Sequence, residues 1–150
     1  DDDRSQVKAS QAITILLDAN DKIYYFEGIP NYNDPHFLKE TSYGADGIRA
    51  ILIRKNAFAV QQKKDLDQKK LLRKINDAQY SKMLSDIKSA KQTPTVIIKA
   101  TDQANYKNLV DALDEMQICS IGKYVIDVMK SSDKQLITNL KNGTAGQPQQ

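Results

Sequence analysis

The chain has 150 residues, of which 40% are hydrophobic and 27% charged, with no Trp, one His, one Cys and a formal net charge of +3. These values suit one globular domain with its own core. The charge is too small to demand a polyanionic partner, and no apolar run approaches the roughly 20 residues of a membrane-spanning helix. The opening Asp1-Asp2-Asp3-Arg4 has nothing of a secretory leader. The chain as it stands therefore reads as soluble, with room for an anchor upstream.

Residues 1–11 are polar and non-periodic, a flexible lead-in. Ala12–Leu17 and Ile23–Phe26 are β-rich runs separated by Asp18-Ala-Asn-Asp-Lys22, which is made of turn formers; the pair predicts a hairpin with a loop of about five residues. Residues 28–47 carry Pro30, Pro35, Gly44 and several Asn, Asp and Tyr, and read as a long surface loop with one short helical turn. Gly47–Val60 places Ile48, Ile51, Leu52, Phe58 and Ala59 at helical spacing, with Asp46 as a candidate cap and Arg49, Arg54, Lys55 and Asn56 on the solvated side.

Residues 61–79 form a basic helical connector. From Arg54 to Lys91 there are eleven Lys and Arg against four Asp. A solvated helical extension is the plain reading; cell wall, lipid headgroups and nucleic acid are the sharper ones. Single-strand nucleic-acid binding needs aromatics among the basic residues, and none occurs from Gln61 until Tyr80, so nucleic acid is not expected. Tyr80, Met83, Leu84 and Ile87 predict another amphipathic helix to about Ala90.

Pro94 favours entry into an extended segment, and Val96-Ile-Ile98 is a continuous apolar strand. Asn105 is a candidate N-cap for a helix with Tyr106, Leu109, Val110, Leu113 and Met116 or Gln117 as its apolar stripe and Lys107, Asn108, Asp111, Asp114 and Glu115 facing away. Ile121–Met129 predicts a last strand. Strand, crossover helix and strand make a βαβ unit, with two parallel strands and right-handed connection. Residues 131–150 read as a polar, largely disordered tail.

Little in the chain suggests chemistry. There is no Gly-rich phosphate cradle, and one His with one Cys leaves no paired metal ligands. His36 follows Pro35 without a second ligand or a nucleophile motif nearby, and reads as a surface residue. Cys119 reads as a buried, inert thiol. No catalytic residue, cofactor or metal is expected. The fold class is α+β: a small mixed sheet of four to five strands with helices on one face and a C-terminal βαβ unit.

Val96-Ile97-Ile98-Lys99-Ala100-Thr101-Asp102, followed by Tyr106 and Leu109-Val110-Asp111-Ala112-Leu113, resembles the periplasmic domain of the ExbD/TolR family. The early hairpin and Gly47–Asn56 fit the same pattern. The basic connector and Asp114–Tyr124 are similar to the Bacteroidetes-type branch in particular. The family usually has Gly or Asn after the second helix, where this chain has Gln117-Ile118. The resemblance covers about Ala12 to Met129 and marks Lys99, Asp102 and Tyr106 as motif residues.

The resemblance implies the periplasmic part, residues 12–130, of a single-pass inner-membrane subunit in a Gram-negative bacterium, with 1–11 as juxtamembrane linker. It also implies an ExbB-like channel subunit as partner, and proton flow that energises a TonB-like protein for outer-membrane transport. A TolR-like role, binding peptidoglycan through the connector, is the alternative within the family. A ligand-binding or hydrolytic domain using the 28–47 loop is the rival outside it. An open sheet leaves unpaired backbone groups on an edge strand, where a partner peptide or a second copy can add a strand. The candidate edge is Lys123, Tyr124, Val125, Ile126, Asp127 and Val128, with an interior place for this strand as the alternative.

Overall fold

A computed structural model describes residues 11–148. The expected lead-in over 1–11 lies, but for Gln11, outside the described residues. The elements are β1 (Ala12–Leu17), β2 (Ile23–Glu27), β3 (Lys39–Thr41), α1 (Ile48–Lys55), α2 (Ala57–Leu71), α3 (Asp77–Lys88), β4 (Thr95–Ala100), α4 (Tyr106–Ile118), β5 (Tyr124–Ile126) and α5 (Ser131–Asn142). The strands form one mixed sheet in the order β3-β2-β1-β4-β5. β1 pairs antiparallel with β2 and parallel with β4, and β5 runs parallel to β4 with Val96 opposite Tyr124 and Ile98 opposite Ile126. The fold is α+β, and the C-terminal βαβ unit is β4-α4-β5.

Alternation along β1 divides its side chains between two cores. Ile13, Ile15 and Leu17 join Ile23, Val96 and Ile98 under α1 and α4, meeting Ile48, Leu52, Ala112 and Met116. Leu16, Tyr24, Phe26 and Leu38 face the other way and are covered by Leu136 and Ile137 of α5. The expectation of helices on one face describes α1 and α4; α5 adds cover on the opposite face. It also corrects the reading of 131–150 as a disordered tail. Leu136, Ile137 and Leu140 are only three apolar residues in a polar segment, but they share one helical face. Gly143, at φ 68°, ends the helix, a conformation in which glycine avoids the Cβ penalty. Beyond it, Asn139 Nδ2 donates to the Gly146 carbonyl at 2.9 Å.

The β1–β2 hairpin turns through Asn20 and Asp21, both at positive φ, as short polar side chains tolerate. The 28–47 segment is not a loop throughout. β3 lies within it and pairs with β2, and Leu38 is 1% exposed. No strand pattern marks it in the sequence, because Lys39-Glu40-Thr41 is charged and only three residues long.

The helix expected over 47–60 is two helices. Gly47 caps α1 without a side-chain bond, so Asp46 is not the cap. Asn56 breaks the run because its buried amide turns inward: Nδ2 donates to the carbonyls of Cys119 and Ser120, both at 3.0 Å. Phe58, expected in the core, is left exposed. Asn56→Ala strands two buried carbonyls, and a loss of about 2 kcal/mol in urea denaturation is expected.

α4 ends in a Schellman motif. Ser120 N–H donates to the Gln117 carbonyl and Ile121 N–H to that of Met116, with Ser120 at φ 59°. Ser120 thus holds the left-handed position at the helix end, where Gly or Asn is the usual choice. The capping box at Asn105 and Asn108 starts the helix, as expected for Asn105.

Candidate functional site

β5 is one margin of the sheet and β3 the other. The β3 edge presents Lys39 and Glu40, charges that discourage strand addition. The β5 edge presents Tyr124, Val125 and Ile126, all exposed, followed by Val128 at 72% exposure. Lys123 C=O accepts from Val96 N–H and Asp127 N–H donates to Ile98 C=O, each at 2.9 Å. Alternation then turns the backbone N–H and C=O of Tyr124 and Ile126 toward the open edge. Their side chains fall on the α4 face, since Val96 and Ile98 opposite them lie in that core.

The six candidate residues therefore divide. Tyr124, Val125 and Ile126 are the strand. Lys123 Nζ donates to the Ala90 carbonyl at 3.1 Å, fastening the strand's start. The Asp127 carboxylate accepts from Val128 N–H at 2.7 Å and turns the chain away. The strand is shorter than the nine residues expected, because Ile121 belongs to the core under α4. Gly122 permits this entry: a Cβ there would lie 2.5 Å from Lys88 Cβ. A cleft of about 370 Å³ flanks the strand, lined by Ile98, Asp102, Leu109, Ile126, Val128 and Lys134 among others.

The three motif residues do not converge on one point. Lys99, in β4, is on the α5 side of the sheet, where Nζ meets Asp133 Oδ2 at 2.9 Å; the two side chains are 11% and 5% exposed. The same Asp133 oxygen accepts from Lys130 N–H at 2.9 Å, so one carboxylate caps α5 and binds it to the sheet. Asp102 is exposed in the turn after β4, at the mouth of the cleft. Tyr106 opens α4 and is 80% exposed, outside the apolar stripe in which its spacing put it.

That stripe is rotated relative to expectation. Asn108, Ala112, Glu115 and Met116 are the buried positions of α4. Asn108 Nδ2 donates to Asp21 Oδ1 at 2.8 Å. Glu115, read as solvated, receives two hydrogen bonds of 2.9 Å from Arg49 Nε and Nη2. A hydrophobicity pattern cannot find such residues, because each buried polar group is matched by a partner distant in sequence.

Cys119 is fully buried, as its apolar setting suggested, and burial followed by the Glu115 charge pushes its thiol up to about 11, against the opposing effect of Arg49. Tyr43 is pushed up to about 12 by burial and then by Asp111 and Asp21. Both groups keep their protons in the folded state after the unfolded chain has lost them. The stability they support is complete below the unfolded values and falls as pH rises from about 9 toward 12. Urea midpoints should therefore drop across that window, and Cys119→Ala should flatten the lower part of the fall. The same burial predicts that Cys119 resists thiol reagents at neutral pH until the domain unfolds.

The basic segment is a helical hairpin. Leu66 is buried in it, Tyr80 Oη donates to Asp67 at 2.6 Å, and Lys63 and Lys70 pair with Asp67 and Asp77, each at 2.8 Å. The hydrogen bond from Lys63 is the leading influence holding the Asp67 carboxyl below its usual range. His36 is exposed, and its backbone N–H donates to Asp34 Oδ1. Among the described residues there is no group of three or more His, Cys, Asp or Glu able to hold a metal, and no helix long and apolar enough to cross a membrane.

These features define a class: a small α+β domain with a mixed five-stranded sheet, one charged margin and one apolar margin. The chain belongs to the ExbD/TolR family of biopolymer transport proteins, whose model matches residues 1–131. Members of that family are membrane-associated, transport-energising proteins with a periplasmic domain. The match stops at the first residue of α5, so the helix that covers the second face lies beyond it. Comparison with curated proteins and with solved structures gives no match.

Proposed function

We propose that this is the periplasmic coupling domain of an ExbD-like subunit, held in an inner-membrane complex with an ExbB-like channel subunit and passing proton-derived work to a TonB-like protein. It acts by protein contact and not by catalysis, and it works as a homodimer. The observation that supports this reading most is the β5 margin. Two outward-facing backbone pairs, at Tyr124 and Ile126, stand beside exposed apolar side chains at a sheet edge. An extended segment of a TonB-like protein, or β5 of a second copy, completes the sheet there; main-chain bonds supply affinity and the flanking cleft supplies selectivity.

Ile126→Pro tests this directly. It removes an N–H that points outward and leaves the bonds from Lys123 and Asp127 to β4 in place, and proline is tolerated on edge strands. Binding of a TonB-type periplasmic peptide, read by calorimetry, should weaken at least about tenfold, the equivalent of roughly 1.4 kcal/mol. Dimer mass in sedimentation should fall in parallel if β5 also joins the two copies. Wild-type affinity in the proline variant counts against the reading.

A TolR-like role at the cell wall is the second reading, favoured by the exposed basic residues of the α2–α3 hairpin. Neutralising Lys63, Lys64, Lys69 and Lys70 should abolish retention on peptidoglycan if that reading is right. Because Lys63 and Lys70 already have carboxylate partners, most of the loss should come from Lys64 and Lys69.

A further inference from the structure

The α2–α3 hairpin ends in an apolar pair set among cations. Leu71 is 75% exposed and Leu72 56%, and residues 69–76 hold Lys69, Lys70, Arg73 and Lys74 with no acidic residue. Lys70 is taken up by Asp77 and by the Tyr80 ring, with Nζ 4.8 Å from its centroid. Lys69, Arg73 and Lys74 form no ion pair among the described residues. The apex is ordered by its own backbone. Arg73 N–H donates to the Lys70 carbonyl and Lys74 N–H to that of Lys69, with Arg73 at φ 57°. The leucines are thus held outward by a helix end, at the tip of a hairpin whose two helices pack chiefly on each other.

The position of the hairpin adds to this. Its two ends, near Lys55 and Gln92, line a cleft together with Gln11 and Ala12. The hairpin therefore springs from the end of the sheet where β1 begins. α2 alone spans about 22 Å at 1.5 Å per residue. Its middle flanks Gln117 and Ile118 of α4, and its last turn and the apex are exposed.

We infer that the hairpin apex is a membrane contact, in which Leu71 and Leu72 enter the headgroup region of an anionic bilayer while Lys69, Arg73 and Lys74 hold its phosphates. Charge complementarity selects the surface, since an amphipathic element with basic flanks is drawn to anionic lipid. The leucines distinguish a bilayer from a polyanionic glycan, which offers apolar side chains nothing to enter. A second copy is disfavoured at the apex because it brings the same positive charge. The contact is independent of β5, so it gives the domain a second point of attachment and an orientation relative to the bilayer.

The test uses the 150-residue chain with vesicles of equal parts phosphatidylglycerol and phosphatidylcholine, and with phosphatidylcholine alone. Flotation should show binding to the anionic vesicles at least about tenfold tighter than to the neutral ones. Lys69→Gln with Arg73→Gln and Lys74→Gln should cost on the order of a hundredfold, at about fivefold per cation. Leu71→Ser with Leu72→Ser should cost about tenfold or more, with an unchanged thermal midpoint, since both positions are exposed. The chain has no Trp, so Leu72→Trp makes a sole reporter whose emission should shift to the blue on anionic vesicles. Tyr106→Trp, at the other end of the sheet, should not shift.

Equal binding to both vesicle types, no binding, or no blue shift at position 72 overturns the inference. So does a loss that follows the cations but ignores the leucines, which is simple counter-charge attraction. Retention on peptidoglycan that depends on the cations, without vesicle binding, also overturns it and favours the wall. None of these variants touches β5, so peptide binding there reports separately on the transducer reading.

Discussion

Replacing Lys99 with methionine should destabilise the domain by about 3 kcal/mol, because it leaves the Asp133 carboxylate buried without its counter-charge. The methionine keeps most of the lysine stem, so little packing is lost and the charge is the variable. Asp133 is 5% exposed and retains only the Lys130 N–H as a donor. Lys99→Met with Asp133→Leu should recover most of the loss, since removing both charges removes the stranded one. A urea series on the four proteins gives the coupling directly. A single-variant loss under about 1 kcal/mol, the size of an exposed pair, would mean that α5 opens readily and wets the site. In this chain Lys99 ties the sheet to α5.

Leu136→Ala should cost about 3 kcal/mol, within the usual range for a fully buried leucine. Leu136 is 1% exposed and sits between Leu16, Tyr24, Phe26 and Leu38 on the second face of the sheet. The loss should be local before it is global. Amides of α5 should exchange with solvent faster than those of β1 and β4, because α5 lacks the sheet's bonding and is bound by one small cluster and the Lys99 and Lys141 ion pairs. Uniform acceleration across the domain would show instead that α5 and the sheet unfold as a unit.

Most of the fold was legible because its signals are local. Ala12–Leu17 and Val96–Ile98 are dense β-branched and apolar runs, and Asn105 announces α4 by a cap that depends only on neighbouring residues. What escaped depends on contacts distant in sequence. β3 is a strand because β2 lies beside it and not because Lys39-Glu40-Thr41 favours one. α5 has three apolar residues whose role appears only when the second face of the sheet needs cover. Glu115 and Arg49 look like surface charges until α1 and α4 bring them together. Asn56 ends a helix that propensity would continue, because two carbonyls at the end of α4 receive its amide.

The candidate site was legible to a similar degree. The parallel placement of 124–126 beside 96–98 followed from the short connection through α4. The strand order did not, because nothing local in Tyr124-Val-Ile126 says whether another strand lies beyond it. The limits of β5 come from Ile121, which the α4 core holds, and from Asp127, which turns the chain by bonding the next N–H.

Strand addition at the β5 margin can be read residue by residue, by NMR of the labelled domain titrated with a TonB-type periplasmic peptide. Amide shifts should concentrate at Tyr124 to Val128, exchange at the Tyr124 and Ile126 amides should slow, and cross-strand contacts should form between peptide and β5. Saturating peptide that leaves those two amides exchanging freely, with its shifts gathered at β3 or on α5, would contradict strand addition there.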